Sequence, residues 1–223
     1  MSASGHEIIG KKLSSDIPRG FWLALERLVP QALAAAKAQG MLFQEGHRPT
    51  ATGFARHLLL NEVMHQALDE SGIDHKAPRG NGIVFGTVGV VTLARVHMGQ
   101  VKWDNARRSK MKVKLCAPNA HAKKLVHPDL FADEISITEP VEMTAFVLTE
   151  AWGPGDHYAI HIVVTDETMD LRHPVFREEI HQFLQHYQQA QDVQDNVKPT
   201  LKKNVKKLLD KTDEDDQPDS TPA

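Results

Sequence analysis

GIVFGTVGVVTLARVHM, residues 82–98, is the stretch on which the fold turns. Valine, threonine and isoleucine crowd it, and β-branched side chains suit a pleated, half-buried surface better than a helix. Gly86 and Gly89 punctuate the run, which predicts two adjacent strands joined at a tight turn. Further along, residues 141–151 and 157–165 flank Gly153-Pro154-Gly155 and predict a β-hairpin with a short loop.

Upstream of the first strands the apolar residues recur at helical spacing. Asp16 is a candidate cap and Pro18 suits a first turn, with Phe21, Trp22, Leu25, Leu28 and Val29 forming one face. Pro30 should interrupt or kink this helix, and the alanine-rich residues 31–38 should end at Gly40. A second helix is predicted from about Thr50 to about Glu70, burying Phe54, Leu58, Val63 and Leu68 before Ser71-Gly72 stops it. Residues 174–191 predict a last helix with Phe176, Ile180, Phe183, Leu184 and Tyr187 on one side. Helices first, antiparallel hairpins in one central sheet and a helix last make an α+β fold.

The chain has 223 residues and is 41% hydrophobic, enough for one good core once a polar tail is set aside. The expected division is a flexible N-terminus over 1–15, a single α+β domain over 16–191, and a lysine-rich segment with a disordered acidic tail over 192–223. A formal charge of -3 is ordinary, so electrostatic function must come from where charges lie. Cys116 is the only cysteine, which rules out an intrachain disulfide and a thiolate-rich zinc site; its expected place is a small apolar position. Neither a signal peptide nor a span of roughly 18 to 20 apolar residues is evident, so a cytoplasmic protein without membrane attachment is expected.

Charge is concentrated in one place. Between Lys102 and Lys124 the chain carries Arg107, Arg108, Lys110, Lys112 and Lys114 against a single acid, Asp104. If residues 110–115 are extended, the three alternating lysines share one face at intervals of roughly 6 to 7 Å, a spacing able to follow a phosphate backbone. Arg107 and Arg108 would add bidentate phosphate contacts.

Chemistry-bearing motifs are sparse. Glu62 with His65 and Glu178 with His181 form two ExxH pairs, the spacing used by di-iron carboxylate bundles, and Glu26 could supply a further carboxylate. That architecture is a four-helix bundle, at odds with so much predicted strand, so these residues are expected on helix surfaces and no metal or cofactor is assigned. RGNGIVFG lacks the GxGxxG spacing of a nucleotide loop, and no serine or cysteine sits in a nucleophile context, so no catalytic residue is assigned.

Two pentapeptides resemble the docking peptide with which bacterial proteins enter the groove of the replication sliding clamp, whose pattern is Gln, any residue, Asp or Ser, Leu, Phe. HPDLF keeps Asp129, Leu130 and Phe131 but has His127 at the first place. QGMLF keeps Gln39, Leu42 and Phe43 but has Met41 at the third, and as the sequel to a helix its apolar residues are expected in the core. Together with RGNGIVFGTVGVVTLAR and NARRS, HPDLF resembles a large, poorly characterised bacterial family and the SocB-type toxins. The resemblance implies a protein that occupies the clamp through Asp129, Leu130 and Phe131 to inhibit replication, restrained by an antitoxin.

The expectation is therefore a non-enzymatic interaction protein that docks on the sliding clamp or another DNA-associated partner. The alternative is a nucleic-acid-binding protein or nuclease using the basic segment 102–124.

Overall fold

Helix α1 (Gly5–Asp16) occupies most of the segment expected to be flexible, because Ile9 and Leu13, one turn apart, are fully buried and fix it to the core. Asp16 therefore closes one helix instead of capping the next. Pro18 stands at the N-cap of α2 (Arg19–Met41), which the computed structural model carries unbroken through Pro30. A mid-helix proline costs about 3 kcal/mol. Burial of Leu28, Val29, Ala32 and Ala36 around it offsets that cost. After a 3-10 turn (Glu45–His47), α3 (Arg48–Glu70) runs back along α2, with Val63 and Leu68 buried as predicted. Phe54 and Leu58, predicted to be buried, stand 57% and 36% exposed. The structure describes residues 5–98, 103–126, 142–152 and 157–187, and among these no helix is long and apolar enough to cross a membrane.

Six strands follow in one sheet whose spatial order is their sequence order: β1 (Asp74–His75), β2 (Phe85–Val88), β3 (Val91–Met98), β4 (Met143–Trp152), β5 (His157–Val164) and β6 (Phe176–Glu179). The run that opens the sheet behaves as its composition predicts: β2 and β3 pair antiparallel, Phe85 opposite Ala94, about a turn in which Gly89 takes φ 55°. At Gly86 a Cβ would lie 2.7 Å from Leu68 Cδ2 and 3.1 Å from the Asp74 carbonyl, so glycine lets α3 close onto β2. β4 and β5 form the predicted antiparallel pair, Phe146 opposite Val163. The Gly153-Pro154-Gly155 turn, HPDLF (127–131) and residues 192–223 lie outside the described residues.

One contact departs from the all-antiparallel expectation. β3 and β4 are parallel, Val91 opposite Met143 through Met98 opposite Glu150. A parallel pair needs a crossover. Its described elements are a 3-10 turn (Trp103–Arg108), α4 (Lys110–Cys116) and α5 (Asn119–Val126). Residues 110–115 are thus helical and not extended: Ser109 caps α4 by accepting from the Lys112 N–H at 3.4 Å. Successive lysines two apart point to opposite sides of a helix, so Lys110, Lys112 and Lys114 do not form a row.

The last predicted helix begins as a strand and turns helical only from Ile180. Phe176–Glu179 pairs with β5, and only α6 (Ile180–Phe183) is regular helix before a final turn to Tyr187. Four of the five predicted apolar residues are buried all the same, Phe176, Ile180, Phe183 and Leu184, while Tyr187 is partly buried against them. Both faces of the sheet are covered. Val91, Leu93, Ala145 and Val147 pack with α1, α2, α3 and α6, while Ala94, Val96, Phe146 and Leu148 pack with Ala106, Cys116, Met169 and Leu171.

Candidate anion-binding site

Arg95 lies in the middle of the apolar strand β3, on the face that meets α3, and only 6% of it is exposed. A buried guanidinium must find acceptors for its donors. Asn61 on α3, itself buried, accepts from Arg95 Nε at 2.8 Å while its own Nδ2 donates to the Gly82 carbonyl at 2.8 Å. Arg95 Nη2 donates to the His57 carbonyl at 2.6 Å and to His57 Nδ1 at 3.2 Å. Since Nδ1 of His57 accepts, its proton sits on Nε2, which donates to the Asn81 carbonyl at 3.1 Å.

A second chain runs beside the first. Arg56 Nη1 donates to His97 Nε2 at 3.0 Å, so His97 carries its proton on Nδ1 and donates to Thr149 Oγ1 at 2.9 Å. Thr149 passes the chain on to the Val96 carbonyl at 3.4 Å. Arg56 Nε is buried without a hydrogen-bond partner. Lys112, half-buried on α4, adds a third cation, close enough for its charge and that of Arg95 to repel.

No carboxylate among the described residues pairs with Arg56, Arg95 or Lys112. The protonation equilibria follow from that deficit. Burial pulls Arg95 down to about 10. Lys112 is lowered by burial and then by Arg95, and Arg56 by burial. His97 falls to about 4, through burial first and then Arg56 and Arg95, with Lys112 adding least and a backbone hydrogen bond at Thr149 opposing. His57 is lowered by burial, then by Arg95. Both imidazoles are held neutral and serve as acceptors where carboxylates would be usual. An anion ~4 Å from one such cation would gain about 4 kcal/mol at an effective dielectric of about 20.

Of the basic residues singled out in the sequence, only Lys112 is brought into this cluster. Arg107 is exposed and paired with Asp170 at 3.0 Å, and Arg108, Lys110 and Lys114 lie exposed on either side of Lys112 along the chain. Asp129, Leu130 and Phe131 fall outside the described residues. Met41, Leu42 and Phe43 of QGMLF, expected in the core, are 56%, 84% and 52% exposed at the end of α2. The residues the sequence reading missed are Asn61, Arg56, His57, Arg95, His97 and Thr149. Its overlooked signal is Arg95 and His97, two apart within an otherwise apolar strand and hence on one face.

The ExxH pairs do not converge. Glu178 on β6 accepts from His186 at 3.0 Å and faces His6 at 3.5 Å, whereas His181 pairs with Glu26 at 2.8 Å. His65 donates to His75 at 2.6 Å. Among the described residues no group of three His, Cys, Asp or Glu side chains is placed to hold a metal ion. Cys116 is buried against Thr165 and Met169, and burial pushes its thiol up to about 11, so it takes the apolar role expected of it. No protein-family model, curated protein or solved structure matches the chain, and it is the arrangement of charge that marks out the site.

Proposed function

We propose that this is a cytoplasmic nucleic-acid-binding protein that seats a phosphate group among Arg56, Arg95 and Lys112. The observation that carries the reading is that Arg56, Arg95 and Lys112 all lie near enough to His97 to oppose its protonation, with Arg95 buried, while no described carboxylate neutralises them. Uncompensated buried charge is costly, and a bound anion offsets it. Nucleic acid is favoured over an isolated anion because Arg108, Lys110 and Lys114 stay exposed beside Lys112, free to receive further backbone phosphates. Among the described residues the site offers phosphate-binding donors and no group placed to hold a metal ion, and binding is the function proposed.

Fluorescence anisotropy with labelled single-stranded DNA and RNA at several salt concentrations tests it. Log affinity should fall linearly with log salt by about 0.7 per phosphate neutralised, and Lys110→Gln with Lys114→Gln should flatten that slope. Affinity indifferent to salt, or absent, would sink the reading.

A second reading, docking on the replication sliding clamp as a toxin-like inhibitor, is favoured by the exposure of Leu42 and Phe43 in the clamp-like peptide QGMLF. Two double variants, Leu42→Ala with Phe43→Ala and Leu130→Ala with Phe131→Ala, assign it in a pull-down with purified clamp. Unchanged capture by both removes these peptides from the account. An antitoxin partner enters only with that reading.

A further inference from the structure

Resting on the nucleic-acid reading, we infer that the cation cluster takes the terminal phosphate of a strand, a phosphate monoester, in preference to an internal phosphodiester. Depth is the first reason. Arg95 is 6% exposed, whereas Arg56 and Lys112 are half-buried, so its guanidinium is the least accessible of the three cations. An internal phosphate carries chain on both sides, and both arms would have to descend with it. A terminal phosphate enters end-on with one arm trailing.

The second reason is the count of charges and donors. A monoester carries about −1.5 to −2 near neutral pH and three acceptor oxygens, against a single charge on a diester. Asn61 and His57 hold Arg95 through Nε and Nη2, which leaves Nη1 without a partner among the described residues. Arg56 is held through Nη1 alone, which leaves Nη2 without a partner among the described residues, while its unpartnered Nε is buried away from any ligand. Lys112 adds an ammonium with neither ion pair nor side-chain bond among the described residues. The unused donors thus come from three separate cations, as a dianion with three free oxygens requires. Each guanidinium is already oriented by a neutral imidazole, so the donors are fixed before the ligand arrives.

The test uses the full chain and one single-stranded oligonucleotide in three forms, with a 5′-phosphate, with a 3′-phosphate, and with hydroxyls at both ends, compared by anisotropy at equal salt. One phosphorylated form is expected to bind at least about tenfold more tightly than the hydroxyl form, the worth of one or two charge-assisted hydrogen bonds. Inorganic phosphate as competitor should erase that advantage and leave the hydroxyl form bound. Lys112→Gln, a change on a half-exposed helix, should reduce the preference, and Arg56→Gln should do the same from another element. Equal affinity for all three forms overturns end recognition while leaving nucleic-acid binding in place. Failure of every form to bind overturns both. A preference that survives the Lys112 and Arg56 changes together overturns the assignment to this cluster.

Discussion

His97 turns the charge deficit into a measurable property. Its Nε2 must accept from Arg56 and its Nδ1 must donate to Thr149, so a second proton would break the first bond and add a charge beside Arg56 and Arg95. In the folded chain it titrates at about 4, below its ordinary 6.5. Between those values the unfolded chain takes up a proton that the folded chain refuses, so this contribution is intact above pH 6.5 and is lost progressively as pH falls toward 4. The loss should reach up to about 3 kcal/mol. Urea titrations of the wild type and a His97→Gln variant at several pH values between 4 and 7 check it, the variant lacking that part of the slope. A bound phosphate reverses the local field, so the His97 imidazole resonance should titrate higher in saturating phosphate than without it.

Lys112 separates function from stability at the same scale. A structural lysine would lower stability on removal, whereas a lysine held close to Arg95 for a ligand's benefit destabilises the empty protein by repulsion. Lys112→Met keeps the apolar stem and removes the charge. It should raise unfolding stability by about 1 kcal/mol while weakening oligonucleotide binding. A loss of stability together with unchanged binding would return Lys112 to an ordinary packing role.

At the scale of elements, the site exists because α3 lies close against the sheet. Asn61 and His57 reach Arg95 from α3, and Gly86 permits the approach by leaving Leu68 room on β2. Gly86→Ala places a methyl group against Leu68 and the Asp74 carbonyl, and should cost about 1–3 kcal/mol in denaturant titration. It should also weaken anion binding, since any outward shift of α3 moves Asn61 and His57 from Arg95. These elements were legible in the sequence where local pattern and tertiary demand agree. The valine-rich run of β2 and β3 gives strands because such side chains fit a sheet buried on both faces, and α3 buries the predicted Val63 and Leu68. Legibility failed where two periods coincide. KMKVKL alternates like a strand, but Ser109 caps it as a helix and Cys116 anchors its end. Phe176, Ile180 and Phe183 have helical spacing, yet pairing with β5 takes the first of them into a strand. The cluster itself was hidden because its members come from α3, β3, α4 and β4, and nothing local in the chain states that Arg56 and Lys112 will approach Arg95 without an acid between them.

For the whole molecule, a site occupied only in the folded state links ligand to stability. Binding raises the unfolding free energy by RT ln(1 + [L]/Kd), about 2.7 kcal/mol at one hundred times Kd. Ordinary screening acts on every surface charge and depends on ionic strength alone, so the two effects separate when ionic strength is held constant. Phosphate substituted for chloride at equal ionic strength should therefore raise the unfolding temperature of the wild type. Phosphate also strengthens apolar burial in any protein by exclusion from its surface, and a variant with Arg56→Gln and Lys112→Gln reports that general part by itself. The wild type should gain more than the variant, with the difference saturating as phosphate rises, because a filled site has a limit and exclusion does not. Parallel, unsaturating gains in both proteins would mean that the cations of α3, β3 and α4 hold no anion, and that their repulsion is answered elsewhere in the chain.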